Sequence, residues 1–173
     1  MPRHYKTGLM WFRRDLRAED NAALYHALKS CAKVFCVFIF DQDILNTLPR
    51  ADRRVEFIRE SLVGLDERLG ELARHHGTVD AGLIVRHGKA TDSLAGLVQA
   101  LSIDAVFLNH DDEPQSLERD AAVHVLMKTR GVALHSFKDH VIFERAEVLT
   151  LAGKPYSVFT PYKNAWLKKV DGF

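Results

Sequence analysis

The 173-residue chain is 47% apolar and 27% charged, the size and composition of one compact globular domain. Its 24 basic and 23 acidic side chains nearly cancel, so no basic excess exists to hold nucleic acid non-specifically, and any such contact needs a local patch. Met1 to Lys6 carry no signal-peptide apolar stretch and no apolar run approaches the roughly 20 residues of a membrane span, which predicts a cytoplasmic protein.

In chain order, the first short apolar run, Leu9 to Phe12, reads as a strand and passes into Arg13-Arg14-Asp15, where a dinucleotide fold would place its G-x-G-x-x-G. A helix fits Asp20 to Lys29, with Asp20 as N-cap. The second strand, Val34 to Phe40, ends on Asp41; Cys31 and Cys36 lie beside and within it, without metal-ligand spacing, and read as small hydrophobes. Val55, Ile58, Leu62, Leu65, Leu69 and Leu72, spaced by three and four, put one apolar stripe on a long helix.

The third strand, Leu83 to Val85, leads to His87-Gly88-Lys89, where a turn accounts for the glycine. A helix over Asp92 to Leu101, capped by Thr91, precedes the fourth strand, Ala105 to Leu108. Pro114 suits the first turn of the next helix, and Val132 to Phe137 forms the fifth strand. Beyond it the alternation stops. Val148 to Thr150 and Tyr156 to Phe159 flank a small hairpin or extended excursion, and Thr160-Pro161 opens a last helix with Tyr162, Trp166 and Val170 on one side.

Strands with little polar alternation, separated by helices, predict right-handed βαβ units. The fold expected is α/β, a doubly wound, Rossmann-like five-stranded parallel sheet with helices on both faces and strand order 3-2-1-4-5. Ligands of such sheets bind outside the carboxyl ends of the strands. Those ends bring together Arg13, Asp41 and the run Asn109 to Glu113. Convergent carboxylates at Asp41, Asp111, Asp112 and Glu113 need compensating cations, for which Arg13 and Arg54 are the candidates. With Trp11, Phe12 and Phe40 bordering it, such a rim suits a flat aromatic ligand with polar edges better than a free phosphate. The nine histidines show no H-x-x-x-H or H-E-x-x-H spacing, and no nucleophile signature occurs.

Two segments carry a resemblance. Trp11-Phe12-Arg13-Arg14-Asp15-Leu16-Arg17 with Asp20-Asn21, and Gly153 to Trp166, resemble the opening and closing signatures of the N-terminal α/β, antenna-binding domain of the DNA photolyase and cryptochrome family. Phe38 to Asp41, Asn109 to Pro114 with Glu118-Arg119-Asp120, His135 to Phe137 with Asp139-His140, and Glu147 to Leu149 extend it in order.

The resemblance implies an antenna domain over residues 1–140 and, over 141–173, the start of a connection to a helical FAD-binding domain that the chain lacks. It implies a light-harvesting role, with excitation passed to FAD in that missing domain, which in photolyases splits pyrimidine dimers and makes the DNA contact. The parent protein would be a carbon–carbon lyase and this chain alone inactive. The implied pocket residues are Arg13, Phe40, Asp41, Arg54, Asn109, Asp111 and Glu113. The implied chromophore is of the 8-hydroxy-deazaflavin type rather than folate, because Gln115-Ser116 stands where folate-binding members carry an Asn-Glu pair, with FMN as a further candidate. The other readings are a cryptochrome photoreceptor fragment and a stand-alone nucleotide-binding or signalling domain. Trp166 and its apolar neighbours, left uncovered, would make the fragment dimerise.

Overall fold

A computed structural model describes residues 4–78 and 81–172. They divide into two compact units, one ending at Asp139 and one beginning at His140. In the first, β1 (Tyr5–Phe12), α1 (Ala22–Ser30), β2 (Cys31–Asp41), a single turn α2 (Gln42–Leu45), α3 (Arg53–His75), β3 (Leu83–Gly88), α4 (Ala90–Ala100), β4 (Ala105–Asn109), α5 (Pro114–Thr129) and β5 (Ala133–Phe137) follow one another. The strands form one parallel sheet in the order β3-β2-β1-β4-β5, as the alternation predicts.

Successive residues of a strand face opposite sides of the sheet, and both sides here are covered. On one side Leu9, Trp11, Val37, Ile39, Val106 and Leu108 pack with Leu94, Leu97 and Val98 of α4 and Val123 and Met127 of α5. On the other, Met10, Phe12, Phe38 and Phe107 pack with Ala23, Leu24 and Ala27 of α1 and Leu62, Leu65 and Leu69 of α3. This is why the strand sequences are apolar at nearly every position. Strand β1 is central, and at Gly8 its backbone passes so close to β2 that an added Cβ would lie 2.5 Å from Cys31 Sγ.

Three helix starts differ from the sequence expectation. Asn21 caps α1, accepting the Leu24 N–H at 3.0 Å, while Asp20 takes the left-handed φ of 51° that turns the chain into the cap. Thr91 lies inside α4, whose cap position is Lys89. In the second unit α6 (Phe159–Val170) starts one residue before Thr160, so Pro161 sits within the first turn, where no intrahelical N–H is needed. The excursion before it is a turn without strands, closed by Thr150 N–H to Lys154 C=O at 2.9 Å and Gly153 N–H to Thr150 C=O at 2.9 Å. Trp166 of α6 is half-buried, edge-on to Phe143 with ring centres 5.8 Å apart, while its apolar neighbours Phe159 and Leu167 are exposed.

Candidate functional site

A cleft of about 530 Å³ opens in the first unit at the carboxyl ends of β2, β3 and β4, within the size range of small-molecule sites. Asp41 ends β2 there, Asp43 and Ile44 of α2 follow, Lys89, Ala90 and Thr91 begin α4, and Glu113, Ser116 and Arg119 come from the start of α5. Neither α4 nor α5 has a side-chain cap, which leaves their first backbone N–H groups unclaimed by side chains.

Strand alternation decides which of the sequence candidates reach this cleft. Trp11 and Arg13 continue the β1 face that α4 and α5 cover, and Asp41 continues the same face of β2. Phe40 points the other way, into the second core, with its ring edge-on to Phe38 at 5.0 Å. Arg54 belongs to α3, on that same far side. There its Nε and Nη2 donate to Asp52 at 2.9 and 2.6 Å, and this pairing holds the Asp52 carboxyl down at about 2. Phe40 and Arg54 therefore do not line the cleft, contrary to the sequence expectation.

Arg13 and Asn109 lie within the scaffold. The Arg13 side chain is almost wholly buried; it donates to Asp120 Oδ1 at 2.6 Å and to the Asn109 carbonyl. The Asn109 amide donates to Asp15 at 2.6 Å and Asn21 at 3.0 Å and accepts from the Ala23 N–H at 2.9 Å. This buried network joins the end of β4 to the β1–α1 loop and leaves neither residue available for a ligand. Arg17 extends the same stapling by pairing with Asp139 at 2.9 Å.

Asp41 and Glu113 do line the cleft; Asp111, contrary to the sequence expectation, does not, but it holds the lining residue Ser116. Burial works to raise the Asp111 carboxyl, but the Glu113 N–H, the Ser116 hydroxyl at 2.9 Å and the charges of Arg13 and Arg14 outweigh it, so it stays below the usual carboxylate range. Exposed Arg14 donates to Glu113 at 2.6 Å and approaches Asp111 at 3.5 Å, which bridges the β1–α1 and β4–α5 loops at the rim.

The residue that sequence reasoning missed is Arg119. It lines the cleft with its side chain 14% exposed, and its Nε and Nη2 have no hydrogen-bond partner. Its contacts with Asp41 and Asp120, at 3.8 and 3.6 Å, are ionic only. Burial and the Arg13 charge lower its pKa against the pull of Asp120, Asp41 and Asp111. What holds it is Trp11: the guanidinium carbons of Arg119 and of Arg13 each stand 5.1 Å from the indole centre. The signal was present in the sequence, since Ser116, Arg119, Val123 and Met127 share one helical stripe and an arginine interrupts an otherwise inward-facing row.

Among the described residues no group of three or more His, Cys, Asp or Glu is arranged to hold a metal ion, and no helix is long and apolar enough to cross a membrane.

A family model described as DNA photolyase matches residues 8–171. A deoxyribodipyrimidine photo-lyase of Halobacterium salinarum is 35% identical over 91% of the chain and 33% of its own length. Cryptochrome-2 of Gallus gallus is 31% identical over 88% of the chain and 25% of its own. The crystal structure of an archaeal photolyase from Sulfolobus tokodaii, described as holding two FAD molecules with the implication of a novel light-harvesting cofactor, superposes with a TM-score of 0.73 at 29% identity. It covers 91% of this chain and 34% of that one. The chain thus spans about a third or less of the length of these relatives.

Proposed function

The chain belongs to the DNA photolyase family, and from that premise we propose that it is the light-harvesting domain of such a flavoprotein. The cleft at the strand ends binds an antenna chromophore, whose excitation passes to FAD held in a C-terminal helical domain for the repair of pyrimidine dimers in DNA. Residues 1–140 form the antenna domain, and 141–173 begin the connection onward.

The observation that carries this reading is the cleft itself, placed where doubly wound sheets bind ligands and walled by paired charges over a buried indole. Asp41 and Glu113 offer acceptors for the polar edge of a ring, and Arg119 offers donors. A deazaflavin or flavin fits this set better than a folate. Ser116, at the position where folate-binding members carry an acid, is buried and engaged with Asp111. The flavin content described for the archaeal neighbour supports the same ligand class.

Absorption titration of the purified chain with an 8-hydroxy-deazaflavin, a folate and FMN tests the reading. Saturable binding of the deazaflavin or FMN is the expected result, and binding of none of the three defeats it. A cryptochrome parent is the second reading, favoured by the cryptochrome among the relatives; repair assays on a full-length parent separate the two.

A further inference from the structure

Arg119 is buried in the wall of the cleft with hydrogen-bonding capacity in reserve. Its Nε and Nη2 are sealed from solvent without an acceptor, and Asp120 Oδ1, the nearest carboxylate oxygen, already receives Arg13 at 2.6 Å; Nη1, the nitrogen beside Asp41, is the donor on the cleft side and makes no hydrogen bond of its own. A guanidinium taken out of water without hydrogen bonds is costly unless something supplies acceptors. Trp11 fixes its position through a stacking contact that consumes no N–H. Across from it the Asp41 carboxylate stands at 3.8 Å, beyond hydrogen-bonding distance, so donor and acceptor are side by side and unspent on each other. The other Asp41 oxygen accepts the Asp43 N–H at 3.2 Å, which anchors the carboxylate at the start of α2.

From this arrangement we infer that Arg119 and Asp41 together read an imide edge, the O=C–NH–C=O of a pyrimidinedione ring, in the ligand of the cleft. The inference deepens the chromophore reading above and rests on it. Arg119 donates to a ring carbonyl through Nη1, while Asp41 beside it accepts the imide N–H. Flavins and deazaflavins share that edge, whereas a pterin presents an amino group in place of one carbonyl. The walls favour a neutral edge over an anionic group, since Asp41, Asp43, Glu113 and Glu118 outnumber Lys89 and Arg119.

The test titrates the 173-residue chain and its Arg119→Gln and Asp41→Asn variants with riboflavin, which carries no phosphate, and with 3-methylriboflavin, which lacks the imide N–H. Asparagine caps helices as well as aspartate does, so Asp41→Asn keeps the start of α2. Expected are saturable riboflavin binding, weakened about tenfold or more by the 3-methyl group and by Arg119→Gln, and a smaller methyl penalty in Asp41→Asn than in the parent chain. Equal affinity of the parent chain for both ligands, or unaltered riboflavin affinity in a folded Arg119→Gln, overturns the imide pair and leaves the chromophore reading standing. Absence of saturable binding of either ligand to the parent chain overturns both. The methylated ligand keeps the test decisive even if a variant fails to fold.

Discussion

The Arg13 guanidinium donates to the Asp120 carboxylate at 2.6 Å and so ties the end of β1 to α5 across 107 positions of sequence. Arg13→Ala leaves Asp120 and the Asn109 carbonyl without their donor in a largely buried setting, and a loss of about 3 kcal/mol is expected. Urea unfolding followed by circular dichroism reads this as a lower midpoint at unchanged slope. Arg13→Lys recovers only part of it, because one ammonium does not reproduce the fork that serves both acceptors.

Asn109→Asp is expected to be worse than Asn109→Ala at neutral pH. The Asn109 amide donates to the Asp15 carboxylate at 2.6 Å, and a second carboxylate there replaces a hydrogen bond with repulsion between like charges. Acidification protonates one of the pair, so the gap between the two variants narrows as pH falls. Thermal melts of both from neutral to mildly acidic pH check this narrowing.

Gly8→Ala overpacks the centre of the sheet. The new methyl meets Cys31 Sγ at 2.5 Å and Phe107 at 3.3 Å, and a cost of about 1–3 kcal/mol is expected for such crowding. Removing the sulfur opposite it should restore part of the loss. A double-mutant cycle with Cys31→Ala measures the coupling, and additive penalties would place the clash elsewhere.

The His135 imidazole accepts or donates a hydrogen bond at 2.9 Å with the Tyr5 hydroxyl, and burial together with the nearby His26 holds its pKa below the ordinary histidine range. The unfolded chain therefore takes up this proton first, as pH falls through about 6.5. The stability present above that pH is lost progressively as pH falls through the lowered folded value. A melting temperature that declines over this interval in the parent chain, and less steeply in His135→Gln, is the expected pattern.

Glu113→Ala should weaken chromophore binding severalfold while leaving the melting temperature nearly unchanged, since its side chain is 64% exposed at the rim and pairs only with exposed Arg14. Arg54→Ala should leave the affinity unaltered, because Arg54 is not among the residues lining the cleft and its guanidinium is paired with Asp52. Titration of both variants with the same chromophore distinguishes the cleft from a site that includes α3.

The sheet order was legible because each strand is an apolar run and each connection is long enough for a helix. The site was only partly legible. Asp41 and Glu113 announce themselves as polar residues at strand ends, but so do Arg13 and Asn109, and nothing local tells a ligand contact from a buried staple. That distinction depends on Asp120 and Asp15, about a hundred positions away from their partners. Phe40 was separable in principle, since it is one residue from Asp41 on a strand and must face the opposite side. Arg119 was hidden by its setting in a helix that is mostly exposed along its length, and only the stripe through Ser116, Val123 and Met127 marks it as inward. Helix starts were misplaced by a residue or two because Asp20, Thr91 and Thr160 are good caps next to the positions actually used.

The place of β1 between β2 and β4 also sets an order of events during synthesis. Gly8 pairs with Val34 on one side but with Ala105 on the other, so the first strand made is among the last to be fully flanked. Until β4 leaves the ribosome, a nascent chain holding β1 and β2 presents an apolar edge with no native neighbour. That interval, more than the stability of the finished sheet, is when chaperone contact would matter to the yield of folded protein.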